Sequence, residues 1–180
     1  GIRDSVASRG LGDVYKRQGD MITVDLTLRY KGYVSDATRT FGLGSISKEA
    51  ITVYEIVKES QKAGLKAVRS GKTCASVDDA CRKIIEEHNY GPHFIHSTGH
   101  GIGLDVHESP NISAKSKEKL KKDMAITVEP GIYIPKKFGV RIEDSLIVKD
   151  RADVMHKFTK DLIAVSYTHL RSHETIRYLL

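Results

Sequence analysis

The stretch ITVDLTLRYKGYVSDATRTF, residues 22–41, decides the fold of this chain. β-Branched and aromatic residues dominate it, and a Lys-Gly pair interrupts it, which predicts two strands joined by a tight turn. With the turn centred between Tyr30 and Lys31, Asp25 and Asp36 lie directly opposite each other. Like charges placed there are destabilising, and a cation between them reverses that effect. The alternative is that the two carboxylates point to different faces or into solvent, because this register is assumed.

A second informative stretch, PHFIHSTGHGIGLDVHESP at residues 92–110, is rich in histidine and glycine. It holds four of the eight histidines of the chain. His96 and His100 are four residues apart, but the intervening and following glycines disfavour a helix, so we expect extended chain. His100 and His107 are seven apart and need not share a metal. The clustering of histidines predicts a functional site.

The third stretch, MAITVEPGIYIPKKFGVRIEDSLIVK at residues 124–149, carries acidic residues inside apolar strand patterns. Two short strand patterns flank Glu129, and another, from Val140 to Val148, is interrupted at Glu143. Acidic side chains are costly to bury without compensation. Each is therefore either a residue of an exposed face or a metal ligand. An ion pair between Arg141 and Glu143 is the strongest purely structural alternative.

Taken together, the three stretches supply an oxygen-rich set with a single histidine: Asp25, Asp36, His100, Glu129 and Glu143. Such a set suits two hard divalent cations, and two cations held close together hydrolyse amide bonds. Oxygen ligands with one imidazole favour Mn²⁺, with Co²⁺ or Zn²⁺ as the alternatives.

These stretches closely resemble the pita-bread metallopeptidases, the family of methionine aminopeptidase, Xaa-Pro aminopeptidase and Xaa-Pro dipeptidase (prolidase). The resemblance spans about residues 19–163 and is carried by VDLTLRYKGYVSDATRTF, HSTGHGIGLDVHESP, TVEPGIYIP and GVRIEDSLIV. The metal ligands of the family fall on Asp25, Asp36, His100, Glu129 and Glu143. Thr27 stands where the family commonly has glycine, and we expect only local repacking there.

EPGIYIP followed by GVRIED resembles the proline-specific branch of the family, while dipeptidase and aminopeptidase are not separable from these motifs. The resemblance implies hydrolysis of the bond between an N-terminal residue and proline by a hydroxide bound between two metal ions. It also implies short peptide substrates with proline at the second position, and a homodimer for the full-length protein. The alternatives are a methionine aminopeptidase and an inactive peptide-binding module of the same fold.

The resemblance also implies individual roles. Asp36 and Glu143 would bridge two metal ions, Asp25 would hold one of them, and His100 with Glu129 would hold the other. Glu129 would in addition shuttle a proton to the proline nitrogen.

Three further residues match family positions around the metals. His96 and His107 would donate hydrogen bonds to the substrate carbonyl and to the tetrahedral oxyanion. Arg141 would lie near the substrate and the last ligand.

Both ends of the chain look foreign to this pattern. Residues 1–18 have no helical or strand period, and residues 164–180 match nothing in the family, so we expect both to be non-native tails. The formal charge of +6 includes +2 from residues 1–18 and +1 from residues 164–180, which leaves +3 for residues 19–163. That charge is ordinary and lacks an aromatic-basic stripe, so no nucleic-acid partner is expected.

Two helices are predicted between the ligand stretches. The first is capped by Ser47, runs from Lys48 to about Arg69, and carries on one side Ile51, Tyr54, Val57, Leu65 and Val68. The second begins at a capping box of Ser76 and Asp79, runs to about His88, and turns inward Ala80, Ile84 and Ile85.

The expected fold is α+β: part of a pita-bread fold, with a curved, mainly antiparallel sheet, helices on its outer face and the metals inside the curve. Cys74 and Cys81 match no zinc spacing and are expected to be reduced packing residues of a cytoplasmic protein. No stretch of the sequence approaches a membrane span.

Overall fold

The computed structural model describes residues 17–165. Over that range the elements follow one another as β1 (Met21–Tyr30), β2 (Tyr33–Leu43), α1 (Lys48–Ala67), α2 (Cys74–Glu87), β3 (Gly99–Gly101), β4 (Glu108–Ile112), β5 (Ala125–Val128), β6 (Gly131–Ile134), β7 (Phe138–Arg141), β8 (Asp144–Val148), β9 (Ala152–Val154) and β10 (Ala164–Val165). This mixture of helices and mainly antiparallel strands confirms the predicted α+β class.

The hairpin of β1 and β2 forms as predicted, but its register differs from the expected one. The turn is Lys31-Gly32, both with positive φ, and Tyr30 pairs with Tyr33. The expectation that Asp25 and Asp36 face each other directly was therefore wrong. A two-residue turn with both residues in the left-handed region places the turn one residue later than expected. The strand pairing therefore shifts by two residues, and Asp25 faces Thr38 instead of Asp36.

Three sheets build the structure. A five-stranded sheet has the order β4-β3-β5-β8-β9, the hairpin joins β10 in the order β1-β2-β10, and β6 pairs with β7. The core lies between the two helices and these strands and includes Val57, Cys81, Ile126 and Ile142 among its fully buried residues. The predicted interruption of the strand pattern at Glu143 is confirmed, because Ile142 and Glu143 lie between the end of β7 and the start of β8.

The two helices agree with the prediction at the cap of α1 and differ from it at one inward-facing position of α1 and at the cap of α2. Ser47 caps α1 as expected, with its side chain accepting from Ala50 N. The face predicted for α1 was wrong at Ile51, which is 43% exposed. The capping box predicted for α2 was also wrong: Thr73 is the N-cap and accepts from Ser76 N, so the helix starts nearly one turn earlier.

Most of residues 1–18 and 164–180 lies outside the described residues, so their assignment as tails stays a prediction. Ala164 and Val165 are described, and they pair in parallel with Gly42 and Leu43 of β2. Neither helix within residues 17–165 is long and apolar enough to cross a membrane.

Candidate metal centre

The hairpin delivers two carboxylates to one face. Asp36 pairs with Thr27 and Asp25 pairs with Thr38, so the two carboxylates are diagonal neighbours, a spacing that remains within reach across an antiparallel pair. Asp36 is 5% exposed, and Thr27 Oγ1 donates to its Oδ1 at 3.0 Å. The residue that replaces the family's usual glycine thus supports a buried carboxylate.

His100 is oriented by hydrogen bonds at both its backbone and its ring. Its backbone N donates to Thr127 Oγ1 at 3.1 Å, and its Nδ1 lies 2.9 Å from Gly101 O. A carbonyl only accepts, so Nδ1 carries a proton, which leaves Nε2 as the ring nitrogen that can bind a metal. Nε2 lies 3.2 Å from Glu129 Oε1 and 3.9 Å from Asp36 Oδ2.

Glu143 is 1% exposed, yet only half of its carboxylate is hydrogen-bonded. Thr38 Oγ1 donates to Oε2 at 2.5 Å, whereas Oε1 is buried without a hydrogen-bond partner among the described residues. One ligand atom from each of Asp36, His100 and Glu143 lies within 4.8 Å of the other two. A bound cation next to these three residues would compensate the buried carboxylate oxygen that lacks a hydrogen bond.

Glu129 and Asp25 join the cluster through Thr127 and Arg141. Thr127 Oγ1 donates to Glu129 Oε1 at 3.2 Å. Arg141 places one terminal nitrogen 2.5 Å from Asp25 Oδ2 and its Nε 3.9 Å from Glu129 Oε2. Arg141 therefore forms its ion pair with Asp25 and not with Glu143, the structural alternative raised from sequence. Of the five predicted ligands, Asp36, His100 and Glu143 share one point, Glu129 lies beside His100, and Asp25 is linked to Glu129 through Arg141.

The electrostatics of the cluster favour a positive charge there. Burial, and then the charge of Asp25, raise the pKa of Asp36 to about 6. Burial, together with Glu129 and Asp36, raises the pKa of Glu143 well above its usual range. Burial lowers the pKa of His100, but its bonds to Glu129 and Gly101 outweigh this and leave the pKa raised. Carboxylates forced close together this way are relieved by a bound cation.

The donor set fits a pair of hard divalent ions. Each of the four acidic residues offers carboxylate oxygen, His100 offers one imidazole nitrogen, and Glu143 Oε1 has no hydrogen-bond partner in the described part of the chain. Carboxylate with imidazole suits Mn²⁺, Co²⁺ or Zn²⁺ better than it suits a soft metal.

An open cleft of about 660 Å³ lies beside the cluster and is lined by His96, His100, His107, Glu129 and Arg141, among others. His107 is exposed, and its ring centroid lies 4.3 Å from that of His100. His96 and His107, the two histidines predicted to contact the substrate, therefore border the same cleft as the candidate ligands His100 and Glu129.

His96 meets a residue that the sequence reasoning missed, Tyr133. His96 Nδ1 lies 2.8 Å from Ser97 O and its Nε2 lies 3.0 Å from Tyr133 Oη. Burial lowers the pKa of His96, so the ring is neutral and Nε2 accepts from the tyrosine. Arg141 in turn donates to Tyr133 Oη at 3.0 Å. In this arrangement the predicted donor atom of His96 is occupied.

A sequence signal for Tyr133 existed in its cross-strand partner. Tyr133 pairs with Gly139, where a Cβ would come within 2.7 Å of the tyrosine ring. A Cβ at Gly131 would come within 2.7 Å of Tyr133 Oη. Gly131 and Gly139 thus leave room for the ring of Tyr133, four positions after Glu129, and glycine inside a strand often marks such a close approach.

An ion pair between a buried aspartate and a partly exposed arginine holds the loop that carries His96. Asp78 of α2, fully buried, pairs with Arg82 Nε at 2.9 Å and accepts from Thr98 Oγ1 at 2.8 Å. Arg82 also donates to Phe94 O and His96 O, each at 3.1 Å. The helix thereby fixes the segment that leads into His100.

The fold is that of the pita-bread metallopeptidases. The chain belongs to metallopeptidase family M24, whose sequence model matches residues 6–150. The matched region contains all five predicted ligands.

Named relatives agree with this placement. The chain is 43% identical over 164 residues to a protein named Xaa-Pro dipeptidase from Pyrococcus furiosus, covering 91% of this chain and 47% of that protein. The solved Xaa-Pro dipeptidase from Bacillus anthracis is 46% identical with a TM-score of 0.81, covering 82% of this chain and 42% of that one. The solved X-Pro aminopeptidase from Thermotoga maritima is 39% identical with a TM-score of 0.80, covering 82% and 42%. The chain thus spans about half the length of the curated relatives it matches.

Proposed function

We propose that the whole protein is a metal-dependent exopeptidase that hydrolyses the bond between an N-terminal residue and a following proline. The observation that carries the proposal is the gathering of Asp36, His100 and Glu143 within 4.8 Å around the unpartnered Glu143 Oε1. The preference for proline comes from the relatives, whose names include both Xaa-Pro dipeptidase and X-Pro aminopeptidase. Peptides with proline at the second position are the proposed substrates.

In this proposal Asp25, Asp36, His100, Glu129 and Glu143 hold two divalent cations, with Mn²⁺ as the favoured metal. When bound, such ions activate a water molecule and polarise the scissile carbonyl. Residues 19–163 are proposed to form the C-terminal part of the catalytic domain. The two buried free thiols support the expected cytoplasmic location, and the homodimer stays a prediction.

The proposed roles of the protein groups are those that the family resemblance implies, and the positions of the groups support them. Glu129 takes the proton of the attacking water and returns it to the proline nitrogen, because its Oε2 accepts no hydrogen bond among the described residues. His107 borders the cleft beside His100 and donates to the oxyanion that develops on the substrate. Arg141, fixed between Asp25 and Tyr133, orients the substrate. His96 acts as a donor once Tyr133 releases its Nε2 and that nitrogen takes up a proton.

A peptide panel tests the proposal. The chain is loaded with Mn²⁺ and assayed on an Xaa-Pro dipeptide, an Xaa-Pro tripeptide and a Met-Ala peptide. The same assay is run on a chimera that carries, before residue 19, the preceding half of the Pyrococcus furiosus relative. We expect cleavage only of the Xaa-Pro peptides, and its loss in the Asp36→Ala version of the same protein.

The outcomes separate the three candidate functions. Release of methionine from the Met-Ala peptide without Xaa-Pro cleavage would identify a methionine aminopeptidase. Binding of the peptides without any cleavage by the metal-loaded chimera would identify a binding module. Cleavage of the dipeptide without the tripeptide assigns a dipeptidase, and cleavage of the tripeptide assigns an aminopeptidase.

A further inference from the structure

Arg39 lies on the side of β2 that faces away from the metal cluster. Thr38 and Thr40, its neighbours in β2, turn toward the ligand side, since Thr38 Oγ1 donates to Glu143 Oε2 and Thr40 Oγ1 donates to Arg141 O at 2.9 Å. Side chains alternate along a strand, so Arg39 points to the opposite face, where it is 7% exposed. There it lines an apolar recess with Val24 and Tyr54. The side chain therefore has no direct access to the cleft.

Every N–H group of the Arg39 guanidinium is nevertheless engaged. Its Nε donates to Thr159 O at 3.0 Å, and one terminal nitrogen donates to Asp144 Oδ1 at 2.7 Å and to Phe158 O at 3.3 Å. The other terminal nitrogen donates to Thr38 O at 2.9 Å and to Glu143 O at 2.6 Å. A guanidinium has five donors in a rigid fork, and this arrangement uses all five.

The contact with Arg39 is one of three hydrogen bonds that fix Glu143, a predicted metal ligand. Glu143 N donates to Thr38 O at 3.0 Å, and Arg39 binds its carbonyl. With Oε2 held by Thr38 Oγ1, the main chain and half of the carboxylate are fixed. Within residues 17–165, Oε1 is the carboxylate oxygen of Glu143 that has no hydrogen-bond partner, and the carboxylate lies next to Asp36 and His100.

Asp144 anchors the fork but has other partners as well. Gln61 Nε2 donates to its Oδ2 at 2.9 Å, and Lys160 Nζ lies 2.5 Å from the same oxygen. Asp144 is fully buried, so two cations compensate one carboxylate. Lys160 does this without contacting Glu143 among the described hydrogen bonds, whereas Arg39 contacts both residues.

We propose that Arg39 is a positioning residue of the metal centre: anchored on Asp144, it holds the main chain of Glu143 so that the free carboxylate oxygen stays in the cluster. The inference rests on the proposed metal-binding function. Groups that hold metal ligands in place typically change metal affinity by about 10–100-fold when removed. A lysine at position 39 keeps the charge opposite Asp144 but cannot span the carbonyls of Thr38, Glu143 and Thr159 at once.

Isothermal titration with Mn²⁺ tests the inference on the wild-type chain, Arg39→Lys and Lys160→Met. Thermal melts of the metal-free proteins run alongside. We expect Arg39→Lys to bind Mn²⁺ about 10–100-fold more weakly, and Lys160→Met to bind within about 3-fold of wild type. Lys160→Met is the matched control, because it removes a cation from Asp144 and leaves the grip on Glu143 intact.

Wild-type affinity in Arg39→Lys, or equal losses in both variants, would overturn the positioning role and leave Arg39 as a charge partner of Asp144. If Arg39→Lys does not fold, Asp144→Asn decides, since it weakens the anchor and must lower affinity more than Lys160→Met does. Absence of Mn²⁺ binding by the wild-type chain would instead overturn the proposed function itself.

Discussion

At the scale of single residues, the buried carboxylate of Glu143 destabilises the metal-free fold, while the proposed metal centre needs it as a ligand. Its carboxylate is buried, its Oε1 has no partner among the described residues, and its pKa is raised chiefly by burial. The types and order of Glu143 and the other four residues made them candidate ligands from the sequence, and their role as ligands stays a prediction. Sequence reasoning missed Tyr133 and Thr127, whose roles arise from hydrogen bonds across strands that no linear motif records.

Replacing Glu143 by Gln is expected to stabilise the metal-free protein. The amide keeps an acceptor for Thr38 and removes a charge that lacks compensation, so the free energy of unfolding should rise by about 1–3 kcal/mol. Urea unfolding in the presence of a chelator measures this, with the exposed Glu87→Gln as control. A Glu143→Gln protein that is less stable than wild type under those conditions would show that the carboxylate is not under electrostatic strain.

The pKa of Asp36 predicts how metal stabilisation depends on pH. Because this acid titrates at about 6 in the folded chain instead of 3.8, the folded state holds its proton more tightly than the unfolded state does. The metal-free protein therefore loses stability as pH rises from about 4 through 6. Mn²⁺ binds the ionised form, so the rise in Tm caused by Mn²⁺ should be larger at pH 7.5 than at pH 5. An equal rise at both pH values would contradict this.

At the scale of elements, strand patterns were easier to predict than caps and register. The segments around Glu129 became β5 and β6 as expected. The register of β1 and β2 depends on which two residues take positive φ. The Lys-Gly pair predicted a turn at this place but did not fix which two residues form it. Thr73 is a cap because its side chain reaches Ser76 N, while the predicted capping box had a similar local composition three residues later. Tertiary contacts decide between such neighbours.

The link between α2 and the histidine loop gives a prediction at this scale. Asp78→Asn replaces a buried acceptor of Arg82 and Thr98 and should cost roughly 2–3 kcal/mol, less than a fully buried pair because Arg82 is partly exposed. It should also weaken Mn²⁺ binding, since the loop leads into His100. Chemical unfolding and Mn²⁺ titration measure both effects. Asp79→Asn on the exposed side of α2 is the control and should change stability by no more than about 0.5 kcal/mol.

At the scale of the whole molecule, the outer face of β1 is apolar and uncovered within the described residues. Leu26, Leu28 and Tyr30 point to one side of this edge strand and are 48%, 67% and 74% exposed. Ile22 and Val24 are half-buried, Val24 because Phe158 and Ile163 lie beside it, and Leu28 is exposed. No pattern along the sequence predicts which segment packs against which.

Exposed apolar edge strands promote association, so the chain should self-associate as its concentration rises. Light scattering after gel filtration should give a mass above the 20.0 kDa of one chain. The double change Leu28→Thr with Tyr30→Thr should lower that mass, whereas Ile95→Thr, which removes a 73% exposed residue elsewhere, should not. A single mass of one chain at all concentrations would refute the role of this strand.

The proposed metal centre is tested most directly by electron paramagnetic resonance of the chain during titration with Mn²⁺. The five ligands predict that two Mn²⁺ ions bind per chain roughly 3.5–4 Å apart, so the signal of free Mn²⁺ stays low until two equivalents are added and the bound ions give a spin-coupled spectrum. Asp36→Ala should abolish the coupled spectrum. No binding, binding of isolated uncoupled ions by the wild-type chain, or an unchanged coupled spectrum in Asp36→Ala would contradict the proposed metal centre.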